Sequence, residues 1–206
     1  LLIVFLCFLL VGVVSGVVLA NYVFGLAAEL PEITSADLIM AQTSFVYDSE
    51  GTELGALHGG ENRITVDLEE MPEHLVDCLL AAEDIRFYEH NGVDWRSVAR
   101  AATIVIKDSI AAKEIVFSQG ASTITMQLVR NVVADTQKTM DRKIKEALLA
   151  LQFEKNYDKD EILYLYLNEI YLGPRIYGVA AASEYYFGKR VQDINLQEAA
   201  VLVGIL

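Results

Sequence analysis

A chain of 206 residues, 53% of them hydrophobic, carries 16 Lys and Arg against 29 Asp and Glu, a formal net charge of −13, yet its mean hydropathy is +0.33. That length suits one domain with an accessory segment and leaves no room for two full catalytic domains in the stretch shown. The acidity argues against a general nucleic-acid binder, which needs a basic surface against phosphates; the apolar content with only three prolines argues against disorder; and two distant cysteines, Cys7 and Cys78, make no disulfide framework.

The opposition between charge and hydropathy is resolved by position. Residues 1–28 contain no Lys, Arg, Asp, Glu or His, and 23 of the 28 are apolar, the exceptions being Gly12, Ser15, Gly16, Asn21 and Gly25. As a helix this run would reach ~42 Å at ~1.5 Å per residue, more than the ~30 Å of bilayer hydrocarbon. Cleaved signal peptides have shorter apolar cores and a small-residue cleavage site, so a retained single transmembrane anchor is expected. Residues 29–69 read as a spacer with a β-hairpin. Within it, 45–47 and 54–57 flank Asp48-Ser49-Glu50-Gly51, a turn composition that predicts two antiparallel strands.

From Glu73 onward the spacing of apolar residues is helical. Leu75, Cys78, Leu79 and Ala82 mark one stripe, Ile144, Leu148 and Leu151 a second, and Ile162, Leu163, Tyr166 and Ile170 a third. Residues 107–119 lack this periodicity and are expected to form a mobile loop. The fold class predicted for 70–206 is mainly α.

Four stretches carry residues capable of chemistry. In AAEDIRFYEHNGVDW, Glu83 and Asp84 close a helix before a turn at Asn91-Gly92. A carboxylate there meets the negative pole of the helix dipole, an arrangement suited to proton transfer but equally found at solvated helix ends. In QGASTITMQLVRN, Gly120 and Ala121 permit close backbone approach, Ser122 or Thr123 can cap the next helix, and Gln127 and Arg130 share a face. Between 131 and 145, Lys138, Arg142, Lys143 and Lys145 stand against two acidic residues, a basic island in an acidic protein that suits a phosphate or pyrophosphate. Glu146, four residues after Arg142, adds a carboxylate beside it. In EILYLYLNEIYLG, Tyr164, Asn168 and Tyr171 are expected on one face of a helix ended by Gly173-Pro174, where they line a sugar site or edge a core. GVAAASEYYFGK reads as a tight helix contact. Zinc spacings, a P-loop, a dinucleotide fingerprint and a nucleophile elbow are all absent from the sequence.

The ordered set EDIRFYEHNG, GASTITMQLVRN, RKIKEALLA, EILYLYLNEIYLG and AASEYYFGK resembles the five signature motifs of the peptidoglycan glycosyltransferases, the family 51 transglycosylases of class A penicillin-binding proteins and monofunctional transglycosylases. The likeness runs from about residue 46 to the end of the chain. It implies a lysozyme-like, two-lobed helical fold with a groove opening at the membrane. The implied reaction polymerises lipid II into β-1,4 glycan with inversion and release of undecaprenyl pyrophosphate, on the extracytoplasmic face of the bacterial cytoplasmic membrane. The resemblance makes Glu83 the general base and places Glu146 near the leaving pyrophosphate. Ser122, Gln127, Arg130, Lys138, Arg142 and Lys143 match donor-side positions, and Asn168 and Tyr171 match groove residues. The partners it implies are lipid II, the nascent glycan strand, the membrane and other cell-wall synthesis proteins, with no nucleic acid. No cofactor is assigned; a divalent cation, Mg or Mn, is the one candidate, and the sequence offers it no dedicated ligand cluster.

The chain departs from the motifs in places. Met126 stands where the family usually has a glutamine, Tyr164 replaces a common glutamate, and 107–119 looks long. The resemblance also implies further helices after Leu206, so that 70–206 is a C-terminally truncated domain. Two other readings remain open from the residues alone: a lysozyme-like hydrolase, since two carboxylates in a groove serve glycoside hydrolysis, and a non-catalytic membrane-anchored scaffold.

Overall fold

The computed structural model describes residues 2–31, 33, 44–57, 62–112, 120–130 and 140–206. It opens on α1 (Leu2–Ala28), which is long and apolar enough to cross a membrane, with the most apolar 18-residue window unburied by the rest of the chain. Only its last turns meet the body: Leu26 is the one buried residue of the helix, and Leu30 and Ile33 pack against the core just beyond it.

The expected hairpin forms from β1 (Ser44–Tyr47) and β2 (Glu53–Leu57), antiparallel. Asp48 builds the turn by accepting from the amides of Glu50 and Thr52, both at 2.8 Å. The next strand lies inside the stretch expected as spacer. Here β3 (Asn62–Arg63) pairs in parallel with β5 (Ile176–Tyr177), which pairs antiparallel with β4 (Tyr171–Gly173). Asn62 and Arg63 therefore belong to the folded body.

The body is mainly helical, as expected. α2 (Glu73–Glu83) packs on α8 (Leu196–Gly204), and α4 (Ile124–Val129) sits against both α5 (Met140–Phe153) and α6 (Lys159–Glu169). Leu75, Leu79, Ile124, Leu149, Phe153, Ile162, Leu163 and Leu202 interlock with almost no exposure, so truncating any one of them to alanine would cost ~2–5 kcal/mol. Asp158 with Glu161 and Asn195 with Glu198 form capping boxes that start α6 and α8. α7 (Val179–Phe187) buries Ala180, Ala181, Ala182 and Ser183, the tight contact expected of its small residues.

Two expectations are corrected. α3 (Trp95–Ala112) runs on through residues expected as loop, leaving only 113–119 of that loop, which lie outside the described residues. α6 stops at Glu169, short of Gly173-Pro174: Ile170 turns to extended backbone so that Tyr171–Gly173 can pair with β5. Pro174 disfavours helical geometry at the residue before it, which suits this early exit.

Candidate active site

α2 delivers Glu83 on its last turn and then ends, because Asp84 leaves helical geometry at φ −156°. The turn folds the Asp84 carboxylate back toward the start of α4. There it accepts from the Ile124 amide at 3.2 Å and lies 3.0 Å from His90 Nε2. Carboxylates are favoured at helix N-termini, where amides lack partners. The loop closes through Gly92 at φ +88°, where an added Cβ would stand 2.5 Å from the Ala150 carbonyl oxygen of α5. Thr123 completes the junction by donating to the Gly92 carbonyl at 2.6 Å and capping α4 through the Met126 amide at 3.1 Å.

One turn into α4, Gln127 reaches Glu83. Its Nε2 donates to Glu83 Oε2 at 2.6 Å, and its Oε1 accepts from the Tyr166 hydroxyl at 2.9 Å. Burial pushes the Tyr166 phenol well above its ordinary pKa, and the Glu83 charge pushes it further, so it stays protonated and donates. That donor fixes which end of the Gln127 amide faces the carboxylate. Glu83 Oε1 has no hydrogen-bond partner among the described residues and is the oxygen available to take a proton.

The second carboxylate is fully buried. Glu146 on α5 accepts from Arg142 at 2.7 Å and from Lys143 at 3.0 Å, and Arg130 Nε stands 3.4 Å away. Lys143 also donates to Ser122 at 2.6 Å. Three cations around one carboxylate leave an excess of positive charge at this spot. The Arg130 and Lys143 side chains are 44% and 37% exposed, so that charge is open to an incoming anion.

The two halves meet in α4. Gln127 addresses Glu83, and Arg130, at the C-terminal end of the same helix, addresses Glu146. One short element thus touches both carboxylates, Glu83 of α2 and Glu146 of α5.

The remaining predicted positions lie elsewhere. Asn168 is completely buried, accepting from the Val66 amide and donating to the Val66 and Tyr164 carbonyls at 2.9–3.0 Å. It holds the approach to α2 against α6 with both Nδ2 hydrogens committed to backbone carbonyls. Tyr171 is exposed on β4, edge-to-face with Tyr177, and does not share a helix face with Tyr164 and Asn168. Lys138 lies outside the described residues. Lys145 pairs with Glu29 at 2.7 Å, and among the described contacts only Arg142, Lys143 and Arg130 pair with Glu146. Met126 is buried in the core. Tyr166, Asp84 and His90 were not singled out as site residues by sequence. Tyr166 reads there as one more apolar member of a stripe, and only its burial beside a glutamine shows its role. No group of three His, Cys, Asp or Glu side chains gathers among the described residues, and the cation-ringed Glu146 does not fit a divalent metal.

A transglycosylase family model matches residues 50–206. Penicillin-binding protein 1A of Escherichia coli (strain K12) is 43% identical over 99% of this chain and 23% of its own length. The protein of the same name from Vibrio cholerae serotype O1 is 41% identical over 97% of this chain and 24% of its own. This chain thus spans about a quarter of the length of these relatives. A crystal structure of penicillin-binding protein 1A from Haemophilus influenzae aligns over 81% of this chain and 14% of that one at 24% identity, with a TM-score of 0.34, and adds nothing to what the sequences show. Matched over about three quarters of its length, the chain belongs to the transglycosylase family.

Proposed function

We propose that this chain is a membrane-anchored, inverting peptidoglycan glycosyltransferase of bacterial cell-wall synthesis, which polymerises lipid II and releases undecaprenyl pyrophosphate. The observation that carries the reading is the joining of Gln127–Glu83 to Arg130–Glu146 through one helix. Such a displacement needs a base for the nucleophile and cations for the leaving group.

In this mechanism Glu83 Oε1 takes the proton of the acceptor 4-hydroxyl. The freed oxygen attacks the anomeric carbon of the donor sugar, and the bond from that carbon to the pyrophosphate oxygen breaks. The leaving group departs with the electron pair, and Arg130, Arg142 and Lys143 meet the charge it gains. Glu146 keeps those cations together, and Ser122 holds Lys143. Lys138 is assigned to the same anion side and Tyr171 to the glycan groove. Residues 1–28 serve as the anchor, and the catalytic body stands on the extracytoplasmic face, with the nascent glycan strand and other cell-wall synthesis proteins as partners.

The test is the full chain with lipid II, comparing wild type with Glu83→Gln and Glu146→Gln. Polymer from wild type and none from Glu83→Gln is the expected result, and undiminished polymerisation by Glu83→Gln overturns the assignment. Short saccharides released from finished peptidoglycan, without polymer, would make the chain a hydrolase. That reading leaves the cation cluster unexplained, because cleavage between sugars has no pyrophosphate to stabilise.

A further inference from the structure

α5 carries two stripes one residue apart. Arg142 and Glu146 lie on the stripe that faces the site. Asp141 and Lys145, also four apart, lie ~100° round the helix and face α1: the Tyr22 hydroxyl donates to Asp141, and Lys145 donates to Glu29 at 2.7 Å. Between these polar contacts Leu26 is buried. The end of α1 is thus pinned at two points to the helix that holds the anion cluster.

The depth of these contacts follows from where the apolar run ends. The uncharged run ends at Glu29, the first charged residue after it, and Tyr22, whose amphipathic ring suits an interface, stands seven residues before it. Glu146 lies five residues beyond Asp141, ~7.5 Å along the axis. The headgroup layer on each side of a bilayer is ~5–8 Å deep. Along α5, the Arg142, Lys143 and Glu146 cluster therefore lies within about one headgroup thickness of the residue that meets Tyr22.

We propose that Tyr22–Asp141 and Glu29–Lys145 form a clamp that sets α5, and with it the anion cluster, at headgroup depth, so that a lipid-linked diphosphate is met without leaving the bilayer. Tyr22, Glu29, Asp141 and Lys145 are positioning residues, acting through α5. The clamp rests on the function proposed above for its purpose, though not for its geometry.

The experiment uses the full chain in phosphatidylethanolamine–phosphatidylglycerol vesicles containing lipid II, and in parallel in detergent with a short-chain lipid II analogue. Glu29→Arg and Lys145→Glu, each alone, should lower the vesicle rate by about tenfold or more, since small misplacements at a reacting centre are expensive. Both should leave the detergent rate and the melting temperature near wild type, and Glu29→Lys with Lys145→Glu should restore the vesicle rate. Single variants with wild-type vesicle rates, or a double variant that restores nothing, overturn the clamp; so does an equal loss in vesicles and detergent, which indicates a merely structural pair. A second readout does not need activity: with Cys7 and Cys78 replaced by serine, Glu29→Cys/Lys145→Cys in vesicles should be joined within one chain by a short bismaleimide. If wild type makes no polymer, the functional reading falls while the cross-link still supports the clamp, and absence of the cross-link overturns it.

Discussion

Gln127 holds Glu83 by one end of its amide and is itself held by Tyr166 at the other, at 2.6 and 2.9 Å. The glutamate is thereby held through Oε2, with Oε1 unpartnered among the described residues. Glu83→Gln should lower turnover by ~10²–10⁴-fold, the usual contribution of a general base. Gln127→Ala, which frees the carboxylate without removing it, should lower kcat up to about a hundredfold, as misplacement does. Tyr166→Phe should have a smaller effect, within the ~0.5–1.5 kcal/mol of one hydrogen bond. Steady-state polymerisation kinetics on the three variants check this order.

Around Glu146 the roles of folding and catalysis separate by burial. Glu146→Leu would leave Arg142 and Lys143 beside an apolar group, and breaking a buried pair costs ~3–5 kcal/mol. Its urea midpoint should fall accordingly. Arg130, unlike the fully buried Glu146, is 44% exposed, so Arg130→Ala should unfold at nearly the wild-type urea concentration while losing turnover.

Asn168 should behave as an architectural residue. Asn168→Ala removes the partners of the Val66 amide and carbonyl, and each buried group left unsatisfied costs ~1–3 kcal/mol. The expected result is a marked fall in melting temperature with an unchanged KM in protein that remains folded. A raised KM at constant stability would return Asn168 to the substrate groove.

Acid should act on Asp94. Burial alone would raise its carboxyl, but hydrogen bonds from Arg86 and Ser97 and the Arg86 charge outweigh burial and hold it well below the usual range. A depressed folded pKa gives stability that is present above the unfolded value of ~3.9 and is lost as pH falls below it. Urea unfolding from about pH 6 down to about pH 2 should show this loss, and Asp94→Asn should flatten that part of the curve while lowering the plateau. Tyr166 acts at the other end. Its raised pKa stabilises the fold below the ordinary tyrosine value of ~10 and ceases to do so as the phenol ionises above it.

Local chemistry made much of this legible beforehand. The long apolar helix α1 was visible as an uncharged run, the hairpin as a turn composition, and the Arg142–Glu146 pair as helical spacing, because each depends on neighbours in the chain. The backbone contacts of Asn168 were hidden because a polar side chain in an amphipathic stretch reads the same whether it faces a sugar or a backbone group 102 residues away. Tyr171 misled because helical periodicity continues past Glu169, while the exit into β4 depends on pairing with β5. Tyr166 was hidden for the reason that hides most long-range partners: nothing near it in sequence names Gln127. Lys145 looked like one more cation of the island, and only the return of residue 29 to its side shows its separate use.

α4 is six residues long, well short of the ~12–15 at which isolated helices become even marginal. It exists only while the Thr123 cap, the Asp84 carboxylate and the walls of α5 and α6 are in place. Both carboxylates take one partner from it, Glu83 from Gln127 and Glu146 from Arg130, so a disturbance of α4 is felt at both at once. Any agent that pries α4 loose should free the Glu83 carboxylate and strip one cation from Glu146 at a single threshold, rather than in two separable steps.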